Sequence, residues 1–109
     1  MDKLRVLAVG AHPDDVELLC AGTLAKFARK GNKVFIIHLC NGDLGGKGIS
    51  RQKLARIRKA EARKSGALIG AKVLGPICSD LGTFLSETNR HNLIELIRQL
   101  MPDIIITHS

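Results

Sequence analysis

One histidine and two adjacent carboxylates stand in the stretch Ala11-His12-Pro13-Asp14-Asp15, directly after the apolar run Leu4 to Val9. Those residue types suit a hydrolytic metal site. Such a site needs neutral imidazole and carboxylate donors, an open coordination position and a base within hydrogen-bond reach of the attacking water. His12 and Asp15 can serve as donors and Asp14 as the base, with Pro13 stiffening the turn. Read from spacing alone, the Asp-Asp pair could equally cap a helix and complement its dipole. Phosphate binding is disfavoured, because no Gly-x-Gly-x-x-Gly or P-loop Lys follows the run and two carboxylates repel an anion.

The elements that must hold this turn read as alternating strands and helices. Leu4 to Val9 is almost continuously apolar, as expected of a central parallel strand covered on both faces. From Val16 apolar residues recur at helical spacing to Ala28, and Gly31-Asn32 stops the helix. Val34 to Leu39 is a second strand, and the glycine-rich loop Cys40 to Ser50 follows it. Ser50 predicts the N-cap of a helix from Arg51 to about Ser65, whose apolar stripe runs through Leu54, Ile57 and Ala60 to Ala62, with Gly66 or Gly70 near its end. Lys72 to Leu74 is a short third strand, and a loop runs on to about Leu85. A third helix from Glu87 or Thr88 to Leu100 leads to a fourth strand, Asp103 to Thr107.

This alternation predicts a single α/β domain over residues 1–109, a Rossmann-like three-layer fold with a parallel sheet, for which the strand order 3-2-1-4 is expected. In that order strands one and four are neighbours whose connections leave in opposite directions. Ligands of open α/β sheets collect outside the carboxyl ends of the strands at such a switch point. His12 to Asp15 then stand beside His108, and the loops bearing Asp43 and Asp80 leave the same rim. His38, inside the second strand, and His91, on the third helix, read as structural or solvated residues.

Composition narrows the partners. Of the cations behind the formal net charge of +7, Arg51, Lys53, Arg56, Arg58, Lys59, Arg63 and Lys64 fall in one predicted helix and read as a solvated face. The aromatic residues are three Phe, with no Trp or Tyr, so no stacking platform exists for single-stranded nucleic acid and none is expected as a partner. The apolar runs are far shorter than the roughly twenty residues that cross a bilayer, and Met1-Asp2-Lys3 carries no signal pattern, which predicts a cytoplasmic protein without a transmembrane segment. Cys20, Cys40 and Cys78 are odd in number and show no Cys-x-x-Cys, which argues for reduced thiols and against a thiolate zinc site.

The stretch Val9-Gly-Ala-His-Pro-Asp-Asp-Val-Glu17, with Gly22-Thr23-Leu24-Ala25 after it, resembles the signature of the PIG-L/LmbE-like zinc-dependent de-N-acetylases. Three collinear matches support it. Asn41-Gly42-Asp43-Leu44-Gly45 is similar to the family's T-x-G-E/D-x-G loop, with Cys40 in place of Thr. Arg58-Lys-Ala-Glu61-Ala62 is similar to its R-x-x-E-A helix, and Ser79-Asp80-Leu81-Gly82 to its D-x-G loop. The resemblance implies that His12 and Asp15 bind zinc, that Asp14 is the general base, and that Asp43, Arg58 and Asp80 face an N-acetylated amino sugar, an N-acetylglucosamine-type conjugate. From the residues alone, Arg58 is also one more solvated cation, and Asp43 and Asp80 are also turn residues beside glycine. The family's later H-P-D-H element, which gives the third zinc ligand and an oxyanion-assisting histidine, has no counterpart before Ser109. The chain therefore reads as the N-terminal part of such a domain, C-terminally incomplete, with its oligomeric state open. A noncatalytic Rossmann-like small-molecule binding module is the alternative.

Overall fold

In the computed structural model the described residues are 3–10, 15–39, 48, 50–75 and 87–107, excluding the side chains of 15–21. Strand β1 (Arg5–Gly10) has neighbours on both sides: β2 (Lys33–His38), with β3 (Ala71–Leu74) beyond it, and β4 (Ile104–Thr107) on the opposite flank. All pairings are parallel, as the alternation of elements predicts, and the order is the expected 3-2-1-4. Being interior explains the composition of β1, whose Val6, Leu7 and Ala8 are fully buried.

Side chains alternate across the sheet, and each face has its own cover. Val6, Ala8, Val34 and Ile36 pack with Leu24, Phe27 and Ala28 of α1 (Asp15–Arg29). On the opposite face Leu7 and Ile37 pack with Leu93, Leu96, Ile97 and Leu100 of α3 (Glu87–Leu100). α2 (Arg51–Leu68) joins the α1 side, where a Cβ on Gly66 would run into Val73 Cγ2 and lie 3.3 Å from the Ala71 carbonyl oxygen. The helices thus lie on both faces of the sheet, and the change of face falls between β1 and β4.

The end of α1 follows its sequence signal. Gly31 takes φ +86°, its N–H donates to the Ala28 carbonyl, and the Asn32 N–H donates to the Phe27 carbonyl, which together make a Schellman motif. Asn32 then fastens the helix to the sheet. Its Nδ2 donates to the Phe27 carbonyl at 3.1 Å, and its Oδ1 accepts from the Leu4 N–H at 2.9 Å.

α2 departs from expectation. It runs to Leu68 rather than about Ser65, and Gly66 is buried inside it, while Gly70, at φ +80°, supplies the turn into β3. Its buried residues are Leu54, Ala62 and Gly66, whereas Ile57 is 36% exposed and Ala60 is exposed. The reason is geometric: the glycine lets the last turns lie close on β3, and this rotates the stripe away from Ile57 and Ala60.

Candidate functional site

The rim of the sheet is built by the carboxyl ends of the strands. In register Gly10 pairs with His38, Val9 with Thr107 and Ile37 with Leu74, so the ends of β1, β2, β3 and β4 lie level with one another. Hydrogen bonds lock the centre of that rim on both sides. Leu39 N–H donates to the Gly10 carbonyl at 2.8 Å, and Thr107 Oγ1 donates to the Val9 carbonyl at 3.1 Å. Successive carbonyls of β1 point to opposite neighbours, so β2 holds one and β4 the other.

From this rim the chain leads to each residue expected to do chemistry. His12 and Asp14 follow Gly10 by two and four positions, and Asp15 is the first residue of α1. Asp43, Asp80 and His108 follow the ends of β2, β3 and β4 in sequence. His12, Asp14, Asp43, Asp80 and His108 lie outside the described residues, and for Asp15 the backbone alone is described. Arg58 is the exception. It sits in α2 with its side chain 41% exposed, and its Nη1 stands 3.7 Å from Glu61 Oε2, one helical turn on. An exposed pair at that spacing contributes less than about 0.5 kcal/mol, too little to fix Arg58 in one orientation. The start of that helix is fixed by Ser50, an extended residue whose Oγ accepts from the Lys53 N–H at 3.2 Å.

His38 is a rim residue that the strand pattern had placed inside β2. It closes that strand, next to Gly10, with 4% of its surface exposed. The signal that could have found it is its position one residue before the expected strand end. His91 is exposed on α3, in keeping with a solvated reading.

Comparison with known proteins adds the family. Residues 7–109 match the family described as GlcNAc-PI de-N-acetylase, PIG-L. The chain is 30% identical over 110 residues to diacetylchitobiose deacetylase of Thermococcus kodakarensis, an alignment covering 96% of this chain and 40% of that protein. Its fold superposes with a TM-score of 0.80 on N,N'-diacetylchitobiose deacetylase of Pyrococcus horikoshii, at 27% identity, over 95% of this chain and 40% of the other. A hydratase of Pseudomonas putida, GalB, shares the fold with a TM-score of 0.79 at 22% identity, over 97% of this chain and 47% of the other. The chain spans about two fifths of the length of the two deacetylases. On the match across residues 7–109, the chain belongs to the GlcNAc-PI de-N-acetylase (PIG-L) family.

Proposed function

We propose that this chain carries the zinc-binding and proton-accepting part of a de-N-acetylase site, acting on the acetamide of an N-acetylglucosamine-type conjugate. One observation carries the reading. The motif Ala11-His12-Pro13-Asp14-Asp15 joins the carboxyl end of the doubly flanked strand β1 to the start of α1, at the switch point between β1 and β4. The deacetylases among its relatives support the reaction class. The fold alone does not, since a hydratase shares it.

The donor set fits the metal by its chemistry. An imidazole and a carboxylate are ordinary zinc donors, and His12 and Asp15 would hold the ion. Bound there, zinc supplies a Lewis acid that polarises the acetamide carbonyl. Asp14 accepts the proton of the water as its oxygen adds to the carbonyl carbon. The C–N bond then breaks as protonated Asp14 returns that proton to the leaving nitrogen, releasing acetic acid, which ionises to acetate, and the free amine. Asp43, Arg58 and Asp80 bind the sugar, Arg58 as a hydrogen-bond donor one helical turn from Glu61. The substrate is an N-acetylated amino sugar or its conjugate rather than a nucleic acid.

The test pairs metal analysis with acetate release from N-acetylglucosamine conjugates. In a full-length version, Asp14→Asn retains zinc and loses turnover. Turnover equal to that of the parent protein would remove Asp14 from its role. A chain that binds such conjugates but neither holds zinc nor releases acetate would instead be a noncatalytic Rossmann-like binding module.

A further inference from the structure

Helix α2 is charged in a way its own stability does not ask for. Between Arg51 and Leu68 it carries seven cations and a single carboxylate, Glu61, which is paired with Arg58. No acid stands in its first turn and no base in its last, so the charges do not follow the helix dipole. The buried residues Leu54, Ala62 and Gly66 fix the inward face. At 3.6 residues per turn, the opposite face is made by Lys53, Arg56, Arg63 and Lys64, all exposed. Together they form a cationic stripe roughly 17 Å long with no carboxylate on it. Along one border of the stripe lie two apolar side chains, Ile57 at 36% and Leu68 at 82% exposure.

A purely solvated face explains neither the missing carboxylates nor an exposed leucine beside them. Cations flanked by exposed aliphatic side chains match the surface of an anionic lipid bilayer, where the charges meet headgroups and the aliphatic groups enter the acyl boundary. Nucleic acid fits less well. Such a surface makes no use of Leu68, and the chain has no Trp or Tyr to stack on bases. We infer that the outward face of α2 is a docking surface for an anionic membrane leaflet. No helix among the described residues is long and apolar enough to cross a membrane, so the contact is peripheral. The inference is independent of the deacetylase reading, because its readout is vesicle binding.

The experiment is co-sedimentation of the 109-residue chain with vesicles of phosphatidylcholine alone or mixed with phosphatidylserine, across a salt series. The expected result is binding to the mixed vesicles alone, weakening as salt rises. Each cation removed should lower the partition coefficient about fivefold, so Lys53→Gln, Arg56→Gln and Lys64→Gln together should lower it on the order of 100-fold. Leu68→Ser should weaken binding several-fold at unchanged charge, and Lys53→Arg with Lys64→Arg should preserve it. Circular dichroism checks the fold of each variant. If the triple variant does not fold, Leu68→Ser and the Lys→Arg pair decide the matter. Equal binding to both vesicle types, no binding to either, indifference to the triple glutamine variant or to Leu68→Ser, or loss of binding in the Lys→Arg pair would overturn the inference. So would a DNA duplex bound more tightly than the mixed vesicles with Leu68→Ser affecting neither, which would mark a general polyanion surface.

Discussion

The Thr107 hydroxyl donates to the Val9 carbonyl at 3.1 Å, tying the last residue of β4 to the penultimate residue of β1. The bond lies at the switch point, three residues before His12. Thr107→Val keeps the shape and strand preference of the side chain and removes the donor. It should lower stability by about 0.5–1 kcal/mol in urea unfolding, since a partly solvated bond has a modest net value. A change within measurement error would show that backbone pairing alone holds the two strand ends.

Gly66 tests how closely α2 lies on β3. In an open helix position Gly→Ala stabilises by about 1 kcal/mol. Here the added methyl meets Val73 and the Ala71 carbonyl, and overpacking reverses the sign. Gly66→Ala should therefore destabilise by roughly 1–3 kcal/mol. Val73→Ala in the same chain should relieve part of that loss, giving a favourable coupling in a double-mutant cycle. Stabilisation by the single substitution would contradict the close approach.

Asn32 is a joint between helix and sheet. Asn32→Ala loses the donor to the Phe27 carbonyl and the acceptor for the Leu4 N–H, and should cost about 2 kcal/mol. Asn32→Asp keeps the acceptor and should fall between the parent and the alanine variant. Hydrogen exchange at Leu4 separates the two bonds, because its protection should survive in the aspartate variant alone.

Zinc affinity tests the donor assignment apart from turnover. Calorimetric titration of the purified chain with Zn2+ should show that His12→Ala and Asp15→Ala each weaken binding by at least the roughly 10–100-fold that loss of an outer hydrogen-bond partner costs. Asp14→Asn should leave affinity within that margin. If His12→Ala binds zinc like the parent chain, the donors lie elsewhere.

The sequence by itself determined the order and type of the elements, and the expected strand order is the one observed. Largely apolar runs in β1 and β2 require cover on both faces, and the helices on the two sides supply it, whereas β4 buries only one face and leaves Ile105 51% exposed. The helix stop at Gly31-Asn32 was also legible, because glycine is the residue that takes a left-handed φ at low cost. The assignment of His12, Asp14 and Asp15 to a metal site rests on residue type and adjacency, and of the three only the backbone of Asp15 is described.

Tertiary structure decided what adjacency along the chain cannot. Gly66 reads as a helix stop in one dimension and becomes a packing residue once β3 lies against it, extending α2 to Leu68. The same contact turned Ile57 outward, beside cations whose common face local spacing had left without a direction. His38 gained a place on the rim because pairing with Gly10 fixed where β2 ends. Each outcome rests on a contact between two different elements, and periodicity reports the shape of one element rather than the element it meets.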